Sequence, residues 1–208
     1  MTIAEMHVYA DERIDKANSE WFTPVEKDSF INQAIMEYTK NKHKAFETGE
    51  KVREDLLTLV SDTIPFANTD IIDLTAIADF LFVLRIEADI ETGCGLKTGL
   101  PVPPVQHDDF AETQRDPFNK AEDLYPQYLQ NVQGGNKTIQ VYSDNTPEEL
   151  RMVYLKRPAV VNITTPVNCD LPEHTHEEIV NIAIRMMLAT IEGFDGYQVQ
   201  LNEINNQE

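Results

Sequence analysis

The sequence predicts an α+β fold: amphipathic helices at the N-terminus, a central antiparallel sheet with long loops, and a helix at the C-terminus. Three patterns predict it. Apolar residues in the first third recur every three or four positions, from Phe80 they recur every second position, and from Thr175 the helical spacing returns. These patterns divide the chain into an N-terminal helical region (1–65), a β-rich region with long loops (66–170) and a C-terminal helix and tail (171–208), expected to pack as one compact unit.

Ile3, Met6, Ala10 and Ile14 mark a first helix, which Asn18-Ser19 would close. Thr23-Pro24-Val25-Glu26 is a capping box with Pro at the first helical position, where its missing N–H leaves no bond unmade. Ile31, Ala34, Ile35 and Tyr38 line the helix that follows, and Lys40, Lys42 and Lys44 suit the negative end of its dipole. Gly49 interrupts, and Val52, Leu56, Leu59 and Val60 predict a third helix ending before Pro65.

From Phe80, the alternation sets Phe82, Leu84, Ile86, Ala88 and Ile90 on one side and Val83, Arg85, Glu87 and Asp89 on the other, as in a half-buried strand. A helix over Leu74 to Phe82 competes with it. Residues 93–104, rich in Gly and Pro, read as loop. Short strands are expected at Tyr125–Val132, Lys137–Ser143, Leu150–Lys156 and Ala159–Thr164, with a hairpin turn at Gly134-Gly135-Asn136. Thr175-His176-Glu177-Glu178 reads as a second capping box. Ile179, Ile182, Ala183, Met186, Ala189 and Thr190 follow as the apolar face, with Gly193 as the stop and a frayed tail from Asn202.

Composition narrows the function classes. Lys and Arg number 17 against 36 Asp and Glu, a net charge of −19, which argues against a general nucleic-acid binder because such a binder needs a basic stripe to neutralise phosphates. Two distant cysteines, Cys94 and Cys169, make neither a disulfide framework nor a zinc site. The longest clean apolar run, Phe80 to Leu84, is too short to span a bilayer, and Met1-Thr2-Ile3-Ala4-Glu5 lacks the basic start of a signal peptide. A soluble, acidic protein of intracellular type is expected. Charge is uneven: beyond Arg157 the only basic residue is Arg185, against eight acidic ones.

No reaction centre assembles. Gly93-Cys94-Gly95-Leu96-Lys97-Thr98-Gly99 lacks the Gly before the Lys that a phosphate loop needs, and Pro101, Pro103 and Pro104 forbid the helix that must follow. Glu173-His174-Thr175-His176-Glu177-Glu178 gathers two imidazoles, but they flank a helix start where their side chains diverge, and position 180 is Val where a zincin would place its second His. His107-Asp108-Asp109 could pair a base with its orienter, yet no nucleophile accompanies it. No catalytic residue, metal ligand or cofactor is therefore assigned.

Four longer strings carry more: Lys16-Ala17-Asn18-Ser19-Glu20-Trp21-Phe22-Thr23, Asp116-Pro117-Phe118-Asn119-Lys120-Ala121, Tyr154-Leu155-Lys156-Arg157-Pro158 and Leu171-Pro172-Glu173-His174-Thr175-His176-Glu177-Glu178-Ile179-Val180. In this order and spacing, from about residue 10 to about 192, the chain resembles the neck and tail ring proteins of short-tailed, crAss-like bacteriophages. The resemblance implies a structural virion protein, a subunit of a twelve-fold ring beneath the portal that lines the channel through which DNA leaves. It implies as partners further copies of the chain, the portal and neighbouring ring or tail proteins. Phage DNA would pass without specific binding, no membrane is involved, and the protein would sit in the virion neck or tail after assembly in the host cytoplasm. A tail-completion or assembly chaperone that binds virion proteins transiently is the alternative. At this net charge neighbouring copies repel unless basic residues meet acidic surface, and Arg151, Lys156 and Arg157, the basic cluster of the acidic C-terminal half, are the candidate inter-subunit contacts.

Overall fold

The computed structural model describes residues 1–14, 22–46 and 49–205, with backbone alone at 50–52 and 192–205. The proposed closure of the first helix at Asn18-Ser19 lies outside the described residues. The chain packs as two units: Met1–Leu59 together with Pro158–Glu208, and Val60–Arg157. The packing boundaries thus fall near 59 and 157, where the sequence patterns change near 65 and 170, because the C-terminal helix packs with the N-terminal ones.

In the first unit, α1 (Ile3–Arg13) begins at a capping box formed by Thr2 and Glu5. The expected box at Thr23 is present in full: Thr23 accepts from the Glu26 amide while the Glu26 carboxylate accepts from the Thr23 amide, opening α2 (Pro24–His43). Gly49 is the N-cap of α3 (Glu50–Leu56), and a 3-10 turn carries the chain on to Leu59. The long α5 (His176–Asn205) packs on α1 and α2. Met6, Ile31, Ala34, Ile35, Tyr38, Leu56, Val180, Ala183 and Met187 are buried to within 2%.

Four expectations for this unit change, one of them the apolar face of α5, where Ile184, Met187 and Leu188 are buried while Ile182 and Met186 are half-buried and Ala189 and Thr190 exposed. The second capping box does not form: a 3-10 turn (Glu173–Thr175) leads into α5, the buried Thr175 hydroxyl donates to the Pro172 carbonyl, and the Glu178 carboxylate accepts from Lys42. Gly193 does not stop the helix, which continues to Asn205. A glycine costs an interior turn only about 1 kcal/mol, and Ile191, Phe194, Tyr197 and Leu201 keep the helical spacing across it. The stretch Ala159–Thr164 forms no strand. Its backbone is held by helix side chains: Asn32 accepts from the Val161 amide (2.8 Å) and donates to its carbonyl (3.0 Å), and Asp28 accepts from the Ile163 amide (3.0 Å).

The second unit contains two antiparallel sheets. In chain order its elements are β1 (Ile64–Ala67), β2 (Ile71–Asp73), β3 (Phe80–Thr92), β4 (Gly95–Pro101), α4 (His107–Thr113), β5 (Gln127–Gln133), β6 (Asn136–Tyr142) and β7 (Glu149–Lys156). One sheet runs β1-β7-β3-β4, the other β2-β6-β5. Ile86, Ala88, Ile90, Leu150, Met152 and Tyr154 of the first join Ile72, Tyr128, Ile139 and Val141 of the second in one apolar core. β1 escapes a sequence reading because it carries Pro65, and β1 is an edge strand, where the missing N–H interrupts no ladder. The competing helix over 74–82 is limited to a 3-10 turn at Leu74–Ala76, capped by Asp73.

The alternation along β3 holds from Ile86 onward and fails before it. The pairing with β7 shifts between Phe80 and Phe82 and again between Val83 and Arg85. Each extra residue reverses the facing of those before it, so Phe80 and Val83, rather than Phe82 and Leu84, pack on the core. Part of the supposed loop 93–104 is β4. Its ladder is irregular between Ala88 and Ile90, where Gly99 adopts φ 70° and its amide donates to Asp89 Oδ1 (2.7 Å). The hairpin between β5 and β6 turns on Gly134 (φ 59°) and Gly135 (φ 91°), with Gln133 paired to Asn136. A two-residue turn with both φ positive matches the twist of its strands, and glycine adopts it without strain.

Candidate functional site

Arg151, Lys156 and Arg157 all lie at or just beyond β7, but their surroundings differ. Register places Arg151 opposite Glu87 and diagonal to Asp89, two residues along β3. Its guanidinium grips Asp89 in a fork (2.9 and 2.5 Å), donates to Glu149 (3.2 Å) and lies 3.7 Å from Glu87. The Asp89 hydrogen bonds push its already high pKa further up. Asp89 also takes the Gly99 amide, so one carboxylate ties β3, β4 and β7 together. Arg151 is thus engaged inside its own subunit. Lys156 is half-buried and Arg157 exposed, and neither forms an ion pair among the described residues. Among the described residues, only Arg151 of the three is tied up by carboxylates of its own chain.

The histidine strings resolve into separate hydrogen bonds. His174 Nε2 meets Asp55 (2.8 Å), whereas His176 Nε2 donates to the Leu171 carbonyl (2.8 Å) and His107 Nε2 to the Gln130 carbonyl (2.6 Å). Asp55 is buried and shared: besides His174 it takes Lys42, 3.3 Å away, which also reaches Glu178. Burial pushes its carboxyl up, but the bonds from His174 and Lys42 outweigh burial and hold it below the usual range. The cluster joins α2, α3 and the start of α5. Among the described residues, no three His, Cys, Asp or Glu side chains converge as metal ligands. Cys94 is exposed at the β3–β4 turn, and Cys169 is partly buried. The glycine-rich stretch 93–99 makes that hairpin and opens no helix.

One surface was missed from sequence. Between β4 and β5 the chain folds back in turns that expose Phe118 (94%), Leu124 (52%) and Tyr125 (72%). With Pro101, Pro103 and Pro126 they line a groove of 380 Å³. A second cleft of 470 Å³, carrying Asp109, Glu112 and Asp116, shares Asn119 and Gln127 with it. The available signal was Asp116-Pro117, which starts turns through the Asp side chain.

The β-rich unit, Val60–Arg157, is inserted in the chain between the two parts of the helical unit. The profile of the SU10 adaptor protein family matches residues 1–204. The chain belongs to the SU10 adaptor protein family. No curated protein matches it. Family membership makes this adaptor a phage structural protein of the connector type, a virion component whose partners are other virion proteins. Among the described residues of the adaptor, no helix is long and apolar enough to cross a membrane.

Proposed function

We propose that this adaptor is a subunit of a closed, twelve-fold ring in the neck or tail barrel of a short-tailed, crAss-like phage. It links portal to tail and lines the DNA exit channel, without catalysis or cofactor. The observation that carries the reading is the family match over residues 1–204. Charge supports it: at −19 per chain, the wall of a conduit offers few phosphate contacts to hold the passing duplex. A ring needs a heterologous interface, one patch meeting a different patch on the next copy. To hold under the pressure of packaged DNA, each contact should bury well over roughly 1,000 Å². Lys156 and Arg157 are the basic side of that contact.

Cryo-electron microscopy of purified virions tests this reading. The expected result is density for twelve copies, coaxial with the portal. Absence of the chain from virions, with its presence confined to assembly intermediates, would replace the ring subunit with an assembly chaperone.

A further inference from the structure

We infer that the groove at Phe118 is a docking site for another virion protein, specifically for a segment that sets an apolar side chain beside Lys or Arg. The inference rests on the adaptor reading above and adds the chemistry of the partner. A large aromatic that is 94% exposed is costly in water, and two more apolar side chains stand open beside it. Phe118 is held out by structure. Its amide donates to Asp116 Oδ1 (3.0 Å), the Asn119 side chain donates to Asp116 Oδ2 (2.5 Å), and the Lys120 amide donates to the Asp116 carbonyl (2.9 Å). Gln127 of β5 then fastens the turn by donating to the Asn119 carbonyl (2.8 Å). An aromatic anchor fixed before binding loses little entropy on docking, and such residues dominate interface energies.

Charge selects the occupant. The adjoining cleft carries Asp109, Glu112 and Asp116, and the amide of Phe118 keeps the Asp116 carboxyl below the usual range. The one cation at the apolar end, Lys120, is taken up by Glu122 at 3.3 Å. A fitting segment is therefore apolar at one end and basic at the next few positions. A second copy of this chain is a poor source. It carries a net charge of −19, Lys27, Lys42, Arg85 and Arg151 are paired with their own carboxylates, and Lys156-Arg157, unpaired among the described residues, is assigned above to the ring contact.

The test replaces Phe118 with the photo-crosslinking residue p-benzoylphenylalanine in assembled virions, with the same residue at exposed Val132 as the control. Irradiation is expected to join Phe118 to a different virion protein, at a site with Lys or Arg within a few residues. Crosslinking to a second copy of this chain, or none above the Val132 control, would overturn the inference. Copy number in the same virions is read separately, so loss of the ring and loss of the docking site are distinguishable. In parallel, Phe118→Ala should leave the melting temperature unchanged and lower the yield of tailed particles by at least about tenfold, as for an interface hot spot. Unchanged yield would also overturn it.

Discussion

Asp28 is the residue on which the helical unit should depend most visibly. It sits on α2 with its carboxylate buried, one oxygen 2.9 Å from His7 Nε2 of α1 and the other accepting the Ile163 amide at 3.0 Å. Three stretches distant in sequence are joined at one side chain. In Asp28→Ala the buried His7 group loses its partner, which costs about 1–3 kcal/mol, and the half-buried Ile163 amide adds about 1 kcal/mol. A total near 3 kcal/mol should lower the melting temperature by about 6–12 °C for a chain of this size. Circular dichroism at the helix minimum follows the unit concerned, since the other unit is mostly sheet. Asp28→Asn should cost less, because its amide oxygen can still accept from Ile163. A double-mutant cycle with His7→Ala should show coupling above about 0.5 kcal/mol. A shift below about 3 °C, or additive single effects, would refute the argument by showing that water satisfies these groups.

Other consequences can be measured on the same protein. Asp55 is held below the usual carboxylate range, so its stabilisation is fully present above the unfolded pKa near 4 and is lost as pH falls through the folded value. The melting temperatures of wild type and Asp55→Asn should therefore differ at neutral pH and converge in acid; parallel curves would contradict this. Gly99→Ala meets no atom within 4 Å, but must adopt φ 70°, so it should cost about 1–2 kcal/mol, while Gly93→Ala, equally open, should be neutral in thermal melts. A thiol reagent at neutral pH should label exposed Cys94 quickly and Cys169 only on unfolding, since burial pushes the Cys169 thiol up to about 11. Reversing charge at Lys156 and Arg157 together should leave circular dichroism unchanged and impair tail attachment, seen by electron microscopy. Arg151 is a poorer probe, because its loss would strand Asp89 and confuse folding with assembly.

What the sequence determined by itself is whatever a few neighbouring residues settle. The Thr23–Glu26 box opens α2 because both partners lie within one turn of each other. Gly134-Gly135 turns the β5–β6 hairpin because few other residues accept positive φ twice in succession. Ile86, Ala88 and Ile90 read correctly as the core face of β3 because alternation persists wherever pairing is regular. The tertiary structure decided the choices that depend on distant partners. One register shift against β7, a strand far along the chain, turned Val83 inward and Phe82 and Leu84 away, and a second returned Phe80 to the core face. On α5, Ile182 and Met186 compete with Ile184 and Leu188 for the interior; packing on α1 and α2 buried the latter pair and left the former half-exposed. Ala159–Thr164 reads as a strand, yet Asn32 and Asp28 accept its Val161 and Ile163 amides, which are thereby not available to a ladder. Phe118 has the hydrophobicity of a core residue, and only the turn built by Asp116, Asn119 and Gln127 holds it in water. Local rules act through bonds closed within four or five residues, whereas facing and exposure are set by contacts whose closure cost only the assembled fold can repay.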